Sequence, residues 1–164
     1  MPVVRPACRG DLDELTAIYN HYVERSAATF DTWPASRESR AEWLAGFGDA
    51  GPFRLLVATG AGQVLGYASS GSYRAHPAFA RTVEVSVYLD PRARGKGAGS
   101  LLYGALFEEL RSESLHLAVA GIALPNDASL ALHRKFGFTE VGIFDEYAIK
   151  HGTYISSMWM QRRL

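Results

Sequence analysis

The stretch Val83–Ser100 limits what this chain can fold into more than any other. It reads Val-Glu-Val-Ser-Val-Tyr-Leu-Asp-Pro-Arg-Ala-Arg-Gly-Lys-Gly-Ala-Gly-Ser and runs into Leu101-Leu102-Tyr103. Val83, Val85, Val87 and Leu89 alternate with Glu84, Ser86 and Tyr88, the period-two pattern of a strand, and Asp90-Pro91 ends it. From Ser100 onward Leu101, Leu102, Ala105, Leu106 and Leu110 recur at helical spacing. The basic, glycine-rich segment between them therefore delivers a strand into a helix N-terminus.

Such a junction suits an anion. Gly95, Gly97 and Gly99 let the backbone take unusual dihedrals and approach a ligand closely, and the amides of a helix's first turn have no intrahelical acceptor. The helix dipole adds partial positive charge, and Arg92, Arg94 and Lys96 add full charges. A solvated turn with incidental basic residues has the same composition, so the motif alone does not decide. A Walker loop is excluded, because no lysine in the chain is followed by Ser or Thr. A dinucleotide fingerprint fits poorly: the spacing is G-x-G-x-G, and Glu113 lies in a polar helical stretch instead of capping a second strand.

Arg94-Gly95-Lys96-Gly97-Ala98-Gly99 resembles the Q/R-x-x-G-x-G/A pyrophosphate loop of the GNAT superfamily of acetyl-CoA-dependent N-acetyltransferases. Downstream, Asn126-Asp127-Ala128-Ser129-Leu130-Ala131-Leu132-His133-Arg134-Lys135-Phe136-Gly137-Phe138 resembles that superfamily's N-x-x-[AS]-x-x-x-Y-x-x-x-G-F helix, with histidine in the tyrosine position. Asn20-His21-Tyr22, Thr29-Phe30, Thr82-Val83-Glu84, Ser86-Val87-Tyr88, Leu124-Pro125-Asn126-Asp127 and Lys150-His151-Gly152 are similar, in the same order, to segments of phosphinothricin acetyltransferases and of methionine sulfone and sulfoximine acetyltransferases. The resemblance implies an α/β GNAT fold, with a mixed central sheet of about six to seven strands flanked by about four helices. It also implies acetyl-CoA as co-substrate, a small amino-acid-like amine as acceptor, a detoxifying role and a homodimer.

The remaining composition narrows the class. A chain of 164 residues, 48% hydrophobic, fits one domain, 1–164, with a substantial core. Seventeen basic and seventeen acidic residues cancel, so no global field favours nucleic acid or an anionic membrane. No apolar run is long enough to span a bilayer, and Met1–Pro6 lacks a signal-peptide core, so the expected location is cytoplasmic. A single cysteine, Cys8, forms no intrachain disulfide and no cysteine-based zinc site; no metal is expected.

Taken in order, Val3–Arg5 reads as a strand. A helix follows to about Glu24, with Asp11 able to cap it and Leu12, Leu15, Ile18 and Tyr19 as its buried stripe. Ser36 caps a second helix carrying Trp43, Leu44 and Phe47. Phe53–Ala58 and Gln63–Gly71 read as a hairpin. After the glycine-rich loop, helix Gly99–Ser112 leads to a short apolar strand, His116–Ile122. Asn126 opens a helix that Gly137 ends, and Phe138–Ala148 and Tyr154–Arg162 read as the last strands.

Acetyl transfer needs a neutral amine, a polarised thioester carbonyl and a proton for the departing thiolate. Glu84, a carboxylate amid apolar strand neighbours, needs either a partner or a task. It matches the family's general base, acting directly or through water, though a structural ion pair would also account for it. The resemblance implies that a backbone amide near Val87, Tyr88 and Leu89 polarises the carbonyl where the strand bulges and parts from the next. It further implies that Arg94, Gly95, Lys96, Gly97, Ala98, Gly99 and Ser100 hold the pyrophosphate and Asn126 the cofactor arm, unless Asn126 is only a helix cap. His133 either protonates the thiolate or binds or deprotonates the acceptor. Phe30, Arg74, His76 and Phe79 border the acceptor site in this reading, with Arg74 able to hold a carboxylate through two parallel hydrogen bonds. Acetylation of a peptide N-terminus or a polyamine, and non-catalytic acyl-CoA binding, are the competing readings.

Overall fold

The computed structural model describes residues 1–164. Seven strands form one mixed sheet: β1 (Val3–Pro6), β2 (Leu55–Gly60), β3 (Gln63–Ser72), β4 (Thr82–Leu89), β5 (Leu117–Ala123), β6 (Thr139–Lys150) and β7 (Thr153–Arg163), in spatial order β1-β2-β3-β4-β5-β7-β6. Only β4 and β5 run parallel; every other neighbouring pair is antiparallel. Four helices cover the sheet: α1 (Leu12–Arg25), α2 (Arg37–Ala45), α3 (Ala98–Leu110) and α4 (Asp127–Lys135).

Alternation along the strands divides the interior into two layers. On β2, Leu55 and Val57 pack with Leu15, Ile18 and Tyr22 of α1, while Leu56 and Ala58 pack with Leu102, Tyr103 and Leu106 of α3. A strand covered on both faces is apolar at successive positions, as β2 is from Leu55 to Ala58. On β4, Val83 and Val85 join the α3 layer, which leaves Glu84, Ser86 and Tyr88 on the face of α1 and α2.

Three local expectations change. In α3, Leu101 is exposed, and Tyr103 and Phe107 are buried beside Leu102, Leu106 and Leu110. The buried stripe is rotated by one residue because Gly99 lies against Leu132 and Leu89, where an added Cβ would meet Leu132 Cδ2 at 3.2 Å. Asp11 does not cap α1 through its side chain. Its carboxylate instead accepts from both terminal nitrogens of Arg5, at 2.8 and 2.7 Å, and from the Cys8 amide, fastening β1 to the start of the helix. In α1, Tyr22 and Val23 are buried where Tyr19 is only half-buried.

Candidate active site

β4 and β5 pair only from Thr82–Leu117 to Glu84–Val119 and then part. Beyond Glu84, β4 keeps β3 on one side and has no strand on the other, so its remaining outward amides and carbonyls face a cleft. One of them, the Leu89 carbonyl, accepts from the Tyr22 hydroxyl at 2.6 Å. The register of β3 with β4 is unbroken from Gly66–Leu89 to Ser72–Val83, so parting from β5, and not a bulge against β3, opens the slot.

The cleft holds a cavity of about 500 Å³ lined by Val87, Tyr88, Leu89, Arg94, Gly95 and Asn126, with Ser26–Ala28 across from them. At its inner end is a hollow of about 60 Å³, bounded by Ser86, Tyr103, Asn126 and His133, where the two strands separate. At its outer end α3 begins. Gly97, its N-cap, has φ +83°, and Gly95 has φ +72°, both in the left-handed region that side chains disfavour. The amides of Ala98, Gly99 and Ser100 donate to no acceptor in the chain.

The basic residues divide. Arg94 lines the cleft, its guanidinium 5.2 Å from the Tyr22 ring centre. Arg92 is held by Asp90 through two side-chain hydrogen bonds of 3.0 and 2.7 Å. Lys96 lines a separate hollow with Pro2 and Gly60. Lys135, at the end of α4, instead brings a cation to the loop, donating to Ser100 Oγ at 2.9 Å.

Glu84 is half-buried and has no hydrogen-bond or ion-pair partner, and burial raises its carboxyl above the ordinary carboxylate range. Asn126 caps α4, its Oδ1 accepting from the Ser129 amide at 3.1 Å, and lines both cavities of the cleft. His133 is 3% exposed, and burial lowers its pKa. Its Nδ1 lies 2.7 Å from the Ser129 carbonyl, which can only accept, so Nδ1 carries a proton. Nε2 lies 2.9 Å from the hydroxyl of buried Tyr103, so in neutral His133 it accepts from that hydroxyl.

Phe30, Arg74, His76 and Phe79, expected from sequence to border the acceptor site, lie away from the cleft. Arg74 is exposed and lies over Tyr73, His76 accepts from the Ala78 amide at 3.1 Å, and Phe79 packs edge-on against Tyr73. Phe30 is exposed and packs against Tyr147. None of the four lines the cleft or its inner hollow.

Three residues given no role in the sequence analysis matter. Tyr103 enters there only as the residue after Leu101-Leu102. Arg40 is buried with its guanidinium stacked on Trp43 and Tyr19. Lys150 is 5% exposed, and its Nζ donates to the carbonyls of Ser26, Thr29 and Tyr22 at 2.7, 2.8 and 3.4 Å, pinning the segment that walls the cleft. Its place in Lys150-His151-Gly152 was the one available signal.

Residues 15–138 match the Acetyltransferase (GNAT) family. The chain belongs to it. It is 50% identical to a phosphinothricin N-acetyltransferase of Streptomyces coelicolor, over 98% of this chain and 95% of that one. It is 38% identical to an L-methionine sulfoximine/L-methionine sulfone acetyltransferase of Pseudomonas paraeruginosa, over 98% and 94%. The crystal structure of a GNAT superfamily phosphinothricin acetyltransferase from Sinorhizobium meliloti in complex with AcCoA superposes with a TM-score of 0.94 at 32% identity, covering 99% of this chain and 88% of that one. The protein is thus an acetyl-CoA-dependent N-acetyltransferase with the GNAT fold. Its own residues fit that co-substrate: free amides and Arg94 for a diphosphate, and a slot beside an unpaired strand edge for an extended arm.

Proposed function

We propose that the protein acetylates the α-amino group of a small amino-acid-like substrate of the phosphinothricin, methionine sulfoximine or methionine sulfone type, with Glu84 as general base. The observation that carries this reading is the position of Glu84. An unpartnered, partly desolvated carboxylate stands at the last residue of β4 that pairs with β5, where the cleft opens. A base in that environment holds its proton more readily than an ordinary carboxylate and so takes one more readily from an ammonium group, directly or through one water.

Acetyl-CoA supplies the activated acetyl thioester; the chain orients it and moves the protons. The amides of Ala98, Gly99 and Ser100, with Arg94, hold the diphosphate, and an outward amide of β4 among Val87–Leu89 polarises the thioester carbonyl. Tyr103 carries a phenolic proton beside the inner hollow that can pass to the departing thiolate; His133 orients that hydroxyl by accepting from it at Nε2, and because Nε2 holds no proton in the neutral ring, the phenolate regains its proton from solvent. The homologues named above support the substrate class. Acetylation would mask the α-amine of a toxic amino-acid analogue, in the cytoplasm and within one domain spanning residues 1–164.

The same reading includes a homodimer. Val141, Ile143 and Phe144 of β6 are 62%, 54% and 57% exposed on the edge strand of the sheet, and an apolar edge of this kind favours a second copy. Sedimentation at micromolar concentration should give twice the chain mass; a monomer would remove the dimer.

The deciding assay measures thiol release from acetyl-CoA with phosphinothricin, methionine sulfoximine and methionine sulfone, set against a polyamine and a short peptide. Turnover confined to the amino-acid analogues is expected. Preference for the polyamine or the peptide would overturn the substrate class.

A further inference from the structure

Across β4 from the coenzyme cleft, a cavity of about 330 Å³ is lined by Tyr19, Asp31, Arg40, Trp43, Tyr67, Ser69, Ser86 and Tyr88, among others. Ser86 and Tyr88 also line the inner hollow, so the two spaces meet across the strand. Arg40 is 6% exposed and forms no ion pair. Its guanidinium is stacked on Trp43 and Tyr19, 3.5 and 4.4 Å from their ring centres, and its one hydrogen bond is a long 3.4 Å contact to the Tyr67 hydroxyl. Arg40 Nε is buried with no partner at all.

The contrast within the chain is informative. The other buried arginine, Arg54, is matched by Glu109 at 3.0 Å, Glu113 at 3.3 Å and the Gly51 carbonyl. A buried charge left without a counter-ion is costly; buried Lys150 is at least satisfied by three carbonyls, whereas Arg40 has neither a counter-ion nor a partner for its Nε. Asp31, the acid of the same cavity, is engaged by the Tyr19 hydroxyl and not by Arg40.

The path from this cavity to Glu84 is floored by small residues. Ser69 pairs with Ser86, and two residues further along the same face Gly71 pairs with Glu84, where nothing lies within 4 Å of an added Cβ. One cation at one end and one unpartnered carboxylate at the other suit a zwitterion.

We propose that Arg40 is the specificity-determining anchor for the α-carboxylate of the acceptor, which it holds in the cavity between Trp43 and Ser86 while the α-amine reaches Glu84. This rests on the amino-acid acceptor reading above, and assigns to Arg40 the recognition that the sequence suggested for Arg74. The guanidinium would gain the charge-assisted hydrogen bonds it lacks within the chain.

The test compares L-methionine sulfone with its carboxamide, in turnover with acetyl-CoA and in calorimetric binding without it, for the wild type, Arg40→Gln and Arg40→Lys. The wild type should favour the acid by roughly ten- to a hundredfold, the range of one charge-assisted contact. That ratio should collapse toward one in Arg40→Gln and lie between in Arg40→Lys, with acetyl-CoA affinity unchanged. Equal use of acid and amide by the wild type overturns the proposal even if a variant fails to fold, as does a ratio that survives in Arg40→Gln. If neither compound is acetylated, the acceptor reading fails, and the binding arm still decides: a tenfold preference for the acid that Arg40→Gln removes upholds the anchor, and its absence rejects it.

Discussion

Glu84 and Val119 form the last pair between β4 and β5. The residue proposed to take the proton therefore stands where the sheet stops being continuous. Its neighbours Val83 and Val85 are locked into the α3 layer, which turns the Glu84 carboxylate toward the opposite face, where Ser86 and Gly71 leave room beside it.

Glu84→Gln is expected to lower kcat/KM for the amine by roughly a hundredfold or more, the usual contribution of a positioned base, with acetyl-CoA affinity unchanged. In the wild type, kcat/KM should fall on the acid side with an apparent pKa above that of an ordinary glutamate, because burial raises this carboxyl. Steady-state kinetics across pH 5 to pH 9 check both. A variant as active as the wild type across that range would remove Glu84 as the base.

The same substitution should stabilise the fold. Since folding raises the Glu84 pKa, the folded chain keeps this proton to higher pH than the unfolded chain does. Stability is then lost as pH rises from the unfolded value through the folded one. Glu84→Gln removes that loss, so its Tm should exceed the wild-type Tm at pH 8, and the gap should narrow near pH 4. Thermal melts at the two pH values read it directly, and a gap that widens in acid would contradict the assignment.

Gly97→Val should weaken acetyl-CoA binding by roughly tenfold or more in calorimetry. The space around Gly97 is open, so the effect comes from φ +83°, where a β-branched residue costs on the order of 1–3 kcal/mol and drives the loop to another conformation. Unchanged affinity would count against the loop as the diphosphate site.

Lys150→Met keeps an apolar stem but leaves the carbonyls of Ser26 and Thr29 without their buried donor. A loss of roughly 2–3 kcal/mol in urea unfolding is expected. Because Ser26 to Ala28 wall the cleft, acetyl-CoA affinity should fall several-fold as well. A variant with full stability and full affinity would show that the clip is idle.

Features written in contiguous residues were legible from the sequence: the strand carrying Glu84, the glycine loop and the helix headed by Asn126. Each depends on neighbours within one or two turns. Asp90 already takes Arg92 two residues away, yet choosing between that pair and a phosphate required the loop's actual path. Arg40 was silent because its surroundings come from Tyr19 on α1 and Tyr67 on β3; Lys150 stood in a family-like segment, but its role was hidden because its acceptors lie more than a hundred residues away in the chain. Arg74 attracted the carboxylate role as a cation in an aromatic loop, but the fold leaves it exposed over Tyr73.

A crystal structure of this protein with acetyl-CoA is the most direct test of the central claim. The diphosphate should lie within hydrogen-bond distance of the Ala98, Gly99 and Ser100 amides, with the arm running past Val87 and the acetyl group at the hollow beside Ser86, facing Glu84. A diphosphate bound away from the start of α3, or an acetyl group on the far side of the sheet from that hollow, would contradict it.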